Sequence, residues 1–178
     1  MTEEKNCPYT KIVNYINEVL RPPREEFGGL PACPFAGPEL DANKLMIGVL
    51  DPEKTSLTQL LSDFKQSEYE SALFAQVLDT PLTSKETKKY QRFINRVIKS
   101  MGMTNLKAIC FNPNDKLTEV DGFNPRRECP YFLINIADKK TLGKAHLSIL
   151  NTNYFDKLSD EYLKFLKVSK KEIKNTWN

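Results

Sequence analysis

The chain has 178 residues, of which 26 are basic and 23 acidic, giving a net charge of +3 with its single histidine neutral. That length suits one domain able to bury about 70% of its unfolded surface, and four cysteines are too few for a disulfide-dense scaffold. A small basic excess does not by itself imply a polyanionic partner, no apolar run is long enough to span a bilayer, and the charged start Thr2-Glu3-Glu4-Lys5 does not read as a secretory signal. The expectation is a cytoplasmic protein with no membrane contact.

The first predicted helix covers residues 9–20, where Tyr9, Ile12, Val13, Ile16 and Leu20 recur on one face. Arg21-Pro22-Pro23 ends it, because proline removes a donor and restricts the residue before it. Residues 27–38 form an apolar loop dense in Gly and Pro, which suits packing against the domain. Residues 44–50 read as a strand apolar on both faces and therefore central. Ser56 is expected to cap a helix, with Gln59 completing a capping box and Leu57, Leu60, Leu61 and Phe64 facing inward.

A second strand is predicted over 71–78. Ser84 opens the strongest helix, in which Tyr90, Phe93, Ile94, Val97, Ile98 and Met101 form the apolar stripe and Gly102 provides the stop. Strands over 106–111 and 131–136 follow, separated by a long polar loop at 112–129, a length that often serves function. Asp138 is expected to cap a short helix running toward His146, and Ser159 to start a last one. Residues 167–178 read as a flexible Lys-rich tail. Together these elements predict one α+β domain over 1–178, with a mixed sheet of about four strands and helices packed mainly on one face.

Several chemistries find no support. There is no Gly-rich phosphate loop and no Cys-x-x-Cys pair. With His146 as the sole histidine, a multi-histidine metal site is impossible, and His146 itself has no partner nearby in sequence. The residues identify no cofactor and no metal site.

Three features carry functional interest. The dipeptide Cys-Pro occurs at Cys7, Cys33 and Cys129. A thiol placed just before a proline-initiated helix feels the helix dipole, which favours the thiolate. Cys7 and Cys110 read as structural, whereas Cys33 stands in the Gly/Pro-framed loop. The second feature is the loop containing Arg126 and Arg127 beside Cys129, able to hold a carboxylate or phosphate. A solvated turn with an Arg–Glu surface pair is the plainer reading of that loop. The third is a basic ridge at Lys85, Lys89, Arg92, Arg96 and Lys99, with Lys88 beside it and only Glu86 opposing. Such a ridge can track phosphates or simply be a solvated face.

At Cys33-Pro34-Phe35-Ala36 the sequence resembles an uncharacterised bacterial family marked by a Cys-Pro-Phe-Ala motif after an N-terminal helix. The likeness extends over roughly residues 9–145 and includes Phe111-Asn112-Pro113 and the run from Pro130-Tyr131 to Ala137. Where that family places histidines, this chain has Asn112 and Asn135. The resemblance implies no known activity, and those substitutions rule out imidazole chemistry at the two positions, while hydrogen bonding to a ligand survives.

The leading expectation is a small cysteine-centred enzyme or redox protein acting on an anionic small molecule. In it Cys33 is the catalytic thiol, Arg126 or Arg127 the anion holder, Asn112 and Asn135 the polar positioners, and Cys129 a second thiol. The first alternative is a non-catalytic ligand- or cofactor-binding module using the same residues. The second is a nucleic-acid or acidic-protein adaptor working through the basic helix 85–99.

Overall fold

The computed structural model describes residues 7–51, 53–114, 123–142, 152 and 154. Cys7 is the N-cap of α1 (Pro8–Tyr15), with Pro8 at the first helical position where its missing N–H costs nothing. The helix continues into a π-helical turn, Ile16–Leu20, before the prolines stop it. A two-residue hairpin follows, β1 (Pro23–Arg24) against β2 (Leu30–Pro31). Its turn uses Gly28 at φ 68° and Gly29 at φ 81°, a left-handed backbone that a Cβ would strain. Next come α2 (Ala36–Asp41), β3 (Leu45–Leu50), α3 (Leu57–Gln66), β4 (Ser71–Gln76), α4 (Ser84–Ser100), β5 (Leu106–Phe111) and β6 (Phe132–Asp138).

The four long strands form one mixed sheet in the order β3-β4-β6-β5. β3 and β4 are parallel, while β6 lies antiparallel between β4 and β5. This is the α+β architecture expected from the element order. The run 44–50 is not central, however: β3 is an edge strand. Its apolar character has another cause, because helices cover both of its faces.

Alternation along the strands builds two cores. On one face Phe132, Ile134 and Ile136 of β6, with Ala72 and Phe74 of β4, meet Leu60, Leu61 and Phe64 of α3 and Ile94 and Ile98 of α4. On the other, Leu133 of β6 and Leu73 and Ala75 of β4 meet Ile12, Tyr15 and Ile16 from the first helix and its extension. The two crossover helices thus share one face, and α1 and α2 close the second. Gly48 belongs to this packing: a Cβ there would lie 3.0 Å from the Phe74 ring and 3.2 Å from Leu60.

Helix starts follow local chemistry. Thr83, just before Ser84, caps α4; its Oγ1 accepts the Glu86 N–H at 3.3 Å, and the Glu86 carboxylate accepts the Thr83 N–H at 2.8 Å. At α3 only half of the expected box forms. Ser56 Oγ accepts the Gln59 N–H, but the Gln59 amide donates to Asp63 one turn on. Asp138 accepts the N–H groups of Lys140 and Thr141, as a cap should. The expected course toward His146, the helix from Ser159 and the tail 167–178 lie outside the described residues. Among the described residues, no helix is long and apolar enough to cross a membrane.

Candidate functional site

The Gly/Pro loop around Cys33 and the arginine-bearing segment meet on the α1 side of the sheet. Arg24 places its guanidinium 4.1 Å from the Phe123 ring centroid, and Phe27 meets the same ring edge-on at 6.1 Å. Tyr15 donates its hydroxyl to the Pro125 carbonyl at 3.0 Å. Tyr154 completes the junction: it stacks on Phe27 at 5.4 Å and donates to the Ala32 carbonyl at 2.7 Å. Nothing in the spacing of the sequence pairs residue 154 with residue 27, so this aromatic closure was not legible there.

The four cysteines of the chain differ sharply in setting. Cys33 is half-buried, its N–H donating to the Leu20 carbonyl at 3.1 Å. It does not stand at a helix start, because α2 begins three residues later with Phe35 as N-cap. Of the three Cys-Pro pairs only Cys7 precedes a helix directly, and Cys7, expected as a structural residue, is exposed. Cys129 is 5% exposed among aliphatic neighbours of the second core, and burial pushes its thiol up to about 11. It is a protonated thiol at neutral pH. Cys110 is core, as expected, with its thiol pushed up to about 12 by burial.

Arg126 and Arg127 part company. They belong to a 3-10 turn, Pro125–Glu128, which Asn124 caps by accepting the Arg126 N–H at 3.0 Å. In such a tight turn successive side chains diverge. Arg126 is 3% exposed, its guanidinium 5.4 Å from the Phe111 ring centroid, whereas Arg127 faces solvent.

The two asparagines do not share a cleft. Asn112 is 1% exposed, and its amide nitrogen donates to the Leu82 carbonyl at 2.7 Å and to the Thr87 hydroxyl at 2.9 Å. Its Oδ1 accepts the Asn114 N–H at 2.9 Å. These bonds tie the end of β5 to the start of α4. Asn135 stands half-buried on the opposite face of the sheet, in register between Leu73 of β4 and Ile109 of β5.

The second candidate site is α4. From Ser84 to Ser100 it carries six basic residues and one acid, Glu86. The Glu86 carboxylate is turned back onto Thr83, whose hydrogen bonds hold it below the usual carboxylate range. The ion pairs among the described residues, Arg21–Asp41, Lys44–Glu70 and Lys54–Asp51, leave out Lys89, Arg92 and Arg96. Among the described residues, those three side chains line an open concavity of about 370 Å³.

The same helix carries Phe93, read as part of the buried stripe but 48% exposed. Its ring runs nearly parallel to that of Tyr90, with centroids 6.3 Å apart and planes 11° from parallel. Tyr90 in turn packs against Phe132 of the core at 5.9 Å and bonds Gln76 at 3.1 Å. The periodicity that placed Phe93 inward could not show that, of the apolar stripe, Ile94 and Ile98 are the residues that become fully buried. No family model, curated protein or solved structure matches the chain.

Among the described residues no group of three or more His, Cys, Asp or Glu side chains is placed to hold a metal.

Proposed function

We propose that the protein is a binding module that engages a phosphate-rich polyanion along α4. The supporting observation is the concavity lined by Lys89, Arg92 and Arg96: among the described residues none of the three forms an ion pair, and only Lys89 feels a nearby carboxylate, that of Glu86. Cations held side by side with few counter-charges gain most from a ligand that supplies several phosphates, through release of its condensed counterions.

The test is binding to a labelled nucleic acid or polyphosphate across a salt series. Tight binding at low salt should weaken steeply as salt rises, and the paired change Arg92→Ala and Arg96→Ala should reduce the salt slope by roughly two. Absence of binding to any polyanion at low salt refutes the proposal.

A second reading keeps the cysteine-centred chemistry, and it is favoured by one observation. The Cys33 loop and the Arg127 segment are joined through Phe27, Arg24 and Phe123. In that reading Cys33 is the nucleophile and Arg127 the anion holder. It predicts that Cys33, although less exposed than Cys7, reacts several times faster with a thiol-selective reagent. Slower or equal labelling of Cys33 removes it. The polyanion reading ranks first because Cys129 is protonated and Asn112 is fully engaged on the other face, which leaves Cys33 fewer helpers than its sequence setting suggested.

A further inference from the structure

Building on the polyanion reading of α4, we infer that the ligand is a single-stranded nucleic acid, one of whose bases stacks on Phe93 while its phosphates lie along Lys89, Arg92 and Arg96. Phe93 is the large apolar side chain of α4 that remains about half exposed, 48% by surface, and the helical repeat sets it next to two of these cations. Lys89 is four residues before it and Arg96 three residues after, so both are its neighbours on the helix surface. The two cations are separated by about 10 Å along the axis, on either side of the ring.

Exposure alone would leave Phe93 a mobile ring. Its backing changes that. Tyr90, one turn earlier, lies nearly parallel to it, and Tyr90 is anchored by Phe132 in the core and by Gln76 at the end of β4. The anchored Tyr90 ring, offset and nearly parallel, restricts the motion of Phe93, so a flat partner arriving from solvent meets a partly preorganised ring and loses less entropy on binding.

The chemistry of the partner follows from combining charge with a ring. A polyanion without aromatic groups would use the cations and ignore the phenyl. A duplex presents phosphates, but its base faces are already stacked on one another. A single strand offers both phosphates and free base faces, and a base on an aromatic side chain is a sequence-tolerant contact. An acidic peptide would satisfy the charges but has no planar group repeating beside them.

Fluorescence anisotropy can decide this with the full chain and three probes: an oligothymidylate of about 15 nucleotides, the same strand paired with oligoadenylate, and inorganic polyphosphate as competitor. The wild type should bind the single strand more tightly than the duplex. Phe93→Ala should weaken single-strand binding by about 5- to 150-fold, leave polyphosphate competition and the salt slope unchanged, and be rescued by Phe93→Trp. An unchanged melting transition shows that the variant folds. Stronger duplex than single-strand binding overturns the inference, as does a Phe93→Ala loss that is absent or equal for all probes. If polyphosphate still binds through Arg92 and Arg96 in those cases, the polyanion reading survives and only stacking falls. If the wild type binds no probe at low salt, both fall together.

Discussion

Asn95 and Ala108 exchange two hydrogen bonds: the side-chain Nδ2 donates to the Ala108 carbonyl at 2.9 Å, and Oδ1 accepts the Ala108 N–H at 3.0 Å. One turn earlier, Gln91 accepts the Cys110 N–H at 2.8 Å. Together the two amides take the place of a neighbouring strand along the outer edge of β5. An edge with these central backbone groups occupied is a poorer template for another chain. The same contacts fix the rotation of α4, which directs its basic ridge and Phe93 outward.

Asn95→Ala should therefore destabilise the fold by about 1–3 kcal/mol, since it leaves a part-buried N–H and C=O without partners. Urea titration measures the loss. Hydrogen exchange at Ala108 should speed up while the amides of β4 remain protected; an unchanged rate would mean that the edge is closed by something else.

Asn112 offers a test of structure against function. Its amide holds Leu82, Thr87 and Asn114 at once, so Asn112→Ala should cost about 2–3 kcal/mol of stability. Polyanion binding, measured well below the melting transition, should be retained. Loss of binding with unaltered stability would return Asn112 to the role of a ligand positioner.

The buried thiols predict an alkaline limit. In the folded chain Cys110 and Cys129 are pushed from the ordinary value of 9.0 to about 12 and about 11 by burial. The folded state thus favours the neutral thiol, and the unfolded state begins to ionise first. Their contribution is complete below pH 9.0 and declines as pH rises toward those folded values, by up to about 1.4 kcal/mol per pH unit for each thiol. Cys110→Ala should lose less stability than the wild type between about pH 8 and about pH 10. Equal slopes would show that the Cys110 thiol ionises as readily folded as unfolded.

Much of the framework was readable from local pattern. The apolar run 106–111 matched the bounds of β5, and Ile94 and Ile98 marked the buried side of α4. Cys110 was placed in the core by its strand position. The misplacement of 44–50 as central shows where pattern stops. Apolar residues on two faces report that both faces are covered, which helices achieve as well as strands do. The half-formed box at Ser56 has a similar lesson, since Gln59 had a second acceptor, Asp63, within reach on its own helix.

The candidate sites were legible as lists of residues but not as places. Arg126 and Arg127 are adjacent in sequence, yet a 3-10 turn buries one and exposes the other. Asn112 and Asn135 lie on opposite faces of the sheet. Neither division follows from residue type.

The sequence by itself determined the α+β class, the helical and extended segments of the sheet, and the presence of a basic ridge, because each depends on periodicity within a few turns of chain. Only the tertiary structure decided which strand is at the edge, that the Cys33 and Arg127 segments meet through Phe123, and that Phe93 faces outward. Those outcomes depend on contacts between residues far apart in the chain, where packing of whole faces, rather than local preference, sets the free energy.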